Sequence, residues 1–126
     1  MQLVNLTPHP VAVYSVDTPD RIAPGSVLPL RVISPSAQHQ PARLGQCVVG
    51  VDDLGLGIPV EQVSFGSADG GVTALPEPVE GVFYLVSLVV GLAAVGRTDL
   101  LVPHDTVRDL SGSIIGTRKL ARPHRS

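Results

Sequence analysis

The sequence predicts a mostly β domain of the α+β class: a small barrel-like antiparallel sheet with one short apolar helix. Three observations predict it. Short apolar runs recur along the chain between turns rich in Gly and Pro, the pattern of a closed or nearly closed barrel. Valine is the commonest apolar residue, and the aromatics are only Tyr14, Phe65, Phe83 and Tyr84; β-branched side chains suit a pleated, half-buried surface. A single stretch, after Ser87, switches to helical spacing. With 126 residues, 44% of them hydrophobic, the chain has the length of one domain and can bury a core without crosslinks. The expected domain covers residues 1–120, and 121–126 form a polar tail.

Gln2 to Leu6 reads as a first strand, stopped by Thr7-Pro8-His9-Pro10, where two prolines remove backbone donors and keep the chain extended. Val11 to Tyr14 resumes as a strand before the turn residues Asp17-Thr18-Pro19-Asp20, which together suggest a hairpin open at the proline corner. Ser26 to Ile33 alternates, and Pro29 assigns it to an edge or a bulge. Ser34 to Pro41 has little to bury and reads as a mobile loop. Leu44 to Val51 and Ile58 to Phe65 follow as strands, then the loop Gly66 to Gly71.

Gly81 to Val86 is the clearest buried strand. Ser87 stands where an N-cap belongs. Leu88, Val89, Leu92, Ala93 and Val95 mark the helix's apolar face, and Gly96 is placed to end it. Asp99 to Val102 is a further strand, and Pro103-His104-Asp105 reads as a loop. Thr106 to Arg108 and Ser113 to Leu120 then close the domain as a hairpin across Asp109-Leu110-Ser111-Gly112. The total is about eight strands, with the strand–helix–strand unit of residues 82–102 capping the barrel and the chain frayed beyond Leu120.

Composition excludes several classes. A formal charge of −2 leaves no electrostatic footprint for nucleic acid. The apolar run between Glu80 and Arg97 is shorter than a membrane span and is interrupted by Ser87 and by glycine, so no membrane partner is expected. Nothing near Met1 has the basic and apolar regions of a secretory signal, and a cytoplasmic location is the expectation. Cys47 is the only cysteine; set in an apolar run, it reads as a small buried hydrophobe. No motif for a cofactor or a metal is present, and His9, His39, His104 and His124 lack ligand spacing. Low charge, 16% of residues, makes a homo-oligomer the expected state.

Two stretches carry a family resemblance. The chain opens with Asn5-Leu6-Thr7-Pro8-His9. Its second half runs from Leu75-Pro76-Glu77-Pro78 through Tyr84-Leu85-Val86-Ser87 and Arg97-Thr98-Asp99 to Val107-Arg108-Asp109, Gly112-Ser113-Ile114-Ile115-Gly116 and Arg118. In these it resembles a group of small proteins of phages, prophages and actinobacterial genomes that begin with the same Asn-Leu-Thr-Pro-His stretch. The resemblance spans both ends and thins between residues 15 and 75. It implies no reaction, but it does imply a mobile-element setting, in which small domains often bind a host molecule.

The candidate ligand-binding residues are Asn5, Thr7, His9, Ser87, Arg97, Asp99, His104, Arg108 and Arg118. His9 is braced by two prolines, although Asn5, Thr7 and His9 also suit a strand break whose backbone groups need partners. Arg97 and Asp99, two apart, can pair with each other or share a ligand, and a cation after a helix is favoured by the dipole alone. His104, Asp105 and Arg108 offer a base, an acid and an anion fork. Ser87 exposes helix N–H groups or is a plain cap.

Three functions follow. The first is binding of an anionic or nucleotide-like small molecule, in which the opening corner and the arginine-bearing closing hairpin gather about one hollow and sequester a host ligand. The second is a small hydrolase or lyase with His104 or His9 as base, oriented by Asp105 or Asp99. The third is a structural or interaction module of a phage or mobile element. The catalytic set is incomplete, so the sequence leaves enzymatic activity undecided.

Overall fold

A computed structural model of the chain describes residues 1–65, 71–94 and 96–124. The fold is mostly β with one short helix, as the sequence predicts. Six strands form a nearly closed, barrel-like sheet in the order β1 (Gln2–Asn5), β8 (Val82–Leu85), β9 (Leu100–Arg108), β10 (Ile114–Ala121), β2 (Val11–Val13) and β3 (Arg31–Ile33). Two two-stranded ribbons accompany it: β4 (Arg43–Leu44) with β7 (Val72–Thr73), and β5 (Gln46–Asp52) with β6 (Val60–Phe65).

The sheet is mixed. Pairs β9–β10 and β2–β3 are antiparallel, whereas β1–β8, β8–β9 and β10–β2 are parallel. The opening segments therefore do not make the expected hairpin. β1 takes the distant β8 as its neighbour, with Gln2 opposite Val82 and Asn5 opposite Leu85, and the proline corner swings β2 round to β10.

Asn5 closes the barrel. Its main chain bridges Pro35, and its carbonyl accepts from Ser36 N at 2.8 Å. Its side chain, only 2% exposed, donates through Nδ2 to the carbonyls of Ile33 at 2.8 Å and His9 at 3.0 Å, and accepts from Thr7 N at 2.8 Å. One short amide thus ties the end of β1 to the end of β3 across the open seam.

Four local expectations are corrected. The strand over 26–33 shrinks to β3, because Pro29 cannot donate to a ladder, though β3 does lie at the sheet's edge. Segment 34–41, expected to be mobile, is tied down by Ser36 at Asn5, by the Ser36 hydroxyl to His39 Nδ1 at 3.0 Å, and by His39 edge-on to Tyr84. His104 and Asp105 are not in a loop but inside β9, which runs unbroken past Pro103. Thr117 makes this possible: its buried hydroxyl accepts from His104 N at 2.9 Å and donates to the His104 carbonyl. The tail is ordered through Pro123, which packs against Gly91, while Arg122 lies over the Phe83 ring at 5.6 Å. Arg125 and Ser126 lie outside the described residues, as does loop 66–70.

The helix α1 (Leu88–Ala93) begins at Ser87, whose hydroxyl caps Val90 N at 3.4 Å. Val90 and Gly91 face the core, and Leu88, Val89 and Leu92 face outward, the reverse of the expected apolar face. Six residues are less than two turns, so the residue wedged against β9 decides: a Cβ on Gly91 would stand 2.8 Å from Val102 Cγ1. Val95, assigned to that face, lies outside the described residues. Gly96 has φ +87°, a left-handed conformation suited to a helix end.

Two apolar clusters form the core. Leu6, Tyr84, Val86, Val90, Leu100 and Val102 fill the space under the helix. Tyr14, Ile22 and Val107 fill the space beneath the closing hairpin. Cys47 is half-buried on the β5–β6 ribbon, outside both clusters. No helix among the described residues is long and apolar enough to cross a membrane.

Candidate functional site

The closing hairpin and the segment after Asp17 build a polar cleft of about 580 Å³ lined by Asp20, Arg21, His104, Asp105, Thr106, Arg108 and Arg118. Backbone pairing sets its floor. Arg108 N donates to Asp20 O at 2.8 Å, Ile22 N donates to Arg108 O at 2.9 Å, and Arg21 bridges Arg108. The buried Ile22, locked against Tyr14 and Val107, anchors this segment so that Arg21 stands beside Arg108.

Arg118 is the clamp of the cleft. Its Nη1 donates to Thr18 O at 2.6 Å, and its Nη2 donates to Asp20 Oδ1 at 2.6 Å and Asp105 Oδ1 at 2.7 Å. Its Nε is buried without a hydrogen-bond partner among the described residues. Bonding to Asp105 first, and then to Asp20, raises the Arg118 pKa further. In return the Arg118 hydrogen bond holds the Asp105 carboxyl below its usual range, with Lys119 at 3.7 Å adding to the pull. Asp105 reaches this position through φ +61°, a left-handed conformation that Asp tolerates better than most residues. The charge of Arg118 is thus already matched by carboxylates of the protein.

Arg21 and Arg108 differ. Among the described residues neither has a carboxylate within ion-pair distance; Arg108 donates one bond, to Gly112 O at 2.7 Å. Three arginines against two aspartates leave the lining with one unmatched positive charge. The Arg21 guanidinium and the remaining N–H groups of Arg108 can grip a phosphate or carboxylate.

The sequence-predicted residues separate into four places. His104, Arg108 and Arg118 line the polar cleft. Thr7 and Ser87 instead line a mostly apolar cleft of about 780 Å³ between α1 and β4. Asn5 and His9 belong to the seam, where the His9 carbonyl rather than its ring is engaged. Arg97 and Asp99 form a closed pair: Nε to Oδ1 and Nη2 to Oδ2, both 2.8 Å, with Nη2 also donating to Pro76 O at 2.9 Å. That hydrogen-bonded pair lowers the Asp99 pKa and raises that of Arg97. The opening corner and the closing hairpin therefore do not share one hollow. Ser87 serves as the cap of a six-residue helix.

Sequence reasoning missed Arg21 and Asp20. The turn Asp17-Thr18-Pro19-Asp20 was legible, but nothing local signals that the next residue lands against Arg108. Among the described residues no hydrogen bond joins a His to an Asp, and no group of three or more His, Cys, Asp or Glu could hold a metal ion. The chain matches no protein-family model, no curated protein and no solved structure.

Proposed function

We propose that the domain binds a small anion, a phosphate- or carboxylate-bearing molecule, in the cleft between Arg21 and Arg108. One observation carries this reading: two arginines, set side by side by main-chain pairing, face the cleft without a carboxylate partner among the described residues. Pairing of the Arg118 charge with Asp20 and Asp105 braces the wall that presents them. The volume lies within the roughly 300–1,000 Å³ range of small-molecule sites. His104 supplies a ring and Thr106 a further polar group at the same wall.

The finer assignment is a nucleotide-like ligand held for sequestration, with its phosphate on the arginines and its base toward His104. Thermal-shift assays with inorganic phosphate, AMP and a cyclic nucleotide test both levels, because a ligand of the native state raises apparent stability by mass action. Stabilisation by AMP beyond that by phosphate supports the nucleotide; equal shifts support a simple anion site; no shift with any of the three rejects the reading.

A second reading, an interaction module, is favoured by a separate observation. The β5–β6 ribbon and its loop expose Val48, Val49, Val51, Leu54, Leu56 and Ile58, each more than half accessible.

A further inference from the structure

The β5–β6 ribbon pairs with no other strand of the described chain, and an isolated two-stranded hairpin is at best marginally stable in water. Its six exposed aliphatic side chains present on the order of 600 Å² of apolar surface, the upper end for the largest patch on a monomer. Strand addition at β5 is a poor use of it. The ladder skips from Val48–Val63 to Gly50–Gln62, leaving Val49 as a bulge, and bulges blunt an edge against pairing.

The molecule also carries a receptor for such an element. The apolar cleft between α1 and β4 has Pro8, Pro41, Ala42, Leu44, Val89 and Val90 on its walls and Arg43 at its side. The ribbon's turn, Leu54-Gly55-Leu56-Gly57-Ile58, spaces three aliphatic side chains with two glycines at φ +71°. Just before it lie Asp52 and Asp53, opposite in charge to Arg43, which has no ion pair among the described residues.

We propose that this domain dimerises by reciprocal arm exchange, the tip of each β5–β6 arm seating in the α1–β4 cleft of a second copy. The geometry permits it. β4 lines the cleft and β5 starts two residues later, so an arm about 20 Å long, at roughly 3.3 Å per residue, carries its tip away from its own cleft. A two-fold axis that runs the two arms antiparallel brings each tip to the other's cleft, as an isologous contact requires. The tips carry about half of that apolar surface, so two seated tips and the two clefts they fill together remove on the order of 1,200 Å² from water, the lower bound of a standard specific interface.

Light scattering coupled to gel filtration tests this with the full chain. The wild type should have twice the 13.1 kDa chain mass. Leu56→Asp, at the tip, and Val89→Asp, in the cleft, should each be monomeric with unchanged circular dichroism, since both side chains are more than half exposed. An equimolar mixture of the two should associate again, because the intact arm of one fits the intact cleft of the other. Leu56→Ser and Val89→Ser serve if either aspartate variant misfolds. A monomeric wild type overturns the proposal, as does a dimer that survives both substitutions or a mixture that stays monomeric.

Discussion

Replacing Asn5 with alanine should cost the domain about a fifth to three-fifths of a typical small domain's stability, which spans roughly 5–15 kcal/mol. The side chain is 2% exposed and makes three bonds to the main chain: donations to Ile33 O and His9 O, and acceptance from Thr7 N. At about 1 kcal/mol net per bond, with more for the buried Ile33 carbonyl left without a partner, the loss is about 3 kcal/mol. For a chain of this size that is roughly 10 °C in Tm. Urea titration followed by far-ultraviolet circular dichroism measures it, and the midpoint should fall with the slope unchanged. Asn5→Asp keeps the shape but turns two donors into acceptors facing carbonyls. Its loss should exceed that of alanine at neutral pH and shrink as the pH falls and the carboxyl is protonated. A loss below about 1 kcal/mol for Asn5→Ala would refute the assignment of the barrel seam to this residue.

Two further perturbations test other parts of the fold. Gly116→Ala should destabilise by about 1–3 kcal/mol, measured by the same titration, because a Cβ there would overlap the Tyr14 ring and stand 2.8 Å from Ala12 O; its cost should be smaller in a Tyr14→Ala background, the two losses being less than additive. The Arg97–Asp99 pair predicts acid sensitivity. Because Arg97 lowers the Asp99 pKa below 3.8, its stabilisation is fully present above that value and is lost as the pH falls through the depressed one. Asp99→Asn should be less stable at neutral pH and show a flatter decline between pH 4 and 2; a wild type no more acid-sensitive than the variant would contradict this.

Local chemistry was legible where one residue decides it. Ser87 stands at the switch from strand to helical spacing and caps the helix. The turn at Asp109–Gly112 forms with Asp109 Oδ1 accepting from Ser111 N and Ser113 N. The reading of Asn5 and Thr7 as partners for backbone groups at a strand break describes the seam as it is found, whereas His9 contributes its carbonyl there and not its ring. What the sequence hid is long-range. Parallel pairing of β1 with β8 leaves no turn signature between them, and alternation alone cannot choose a neighbour. The continuity of β9 through Pro103 depends on Thr117, a strand away. Arg21 became visible as a site residue only when its main chain met that of Arg108. Arg118 was legible as a cation at the site but not as one already neutralised by Asp20 and Asp105.

Titration calorimetry of AMP and of inorganic phosphate into the wild type, Arg21→Ala, Arg108→Ala and the distant Arg122→Ala tests the binding site most directly. Saturable binding that weakens at least tenfold in the first two variants, about 1.4 kcal/mol, is unchanged in the third, and declines with added salt is the predicted result. Equal affinity across all four proteins, or no binding of either anion to the wild type, would contradict it.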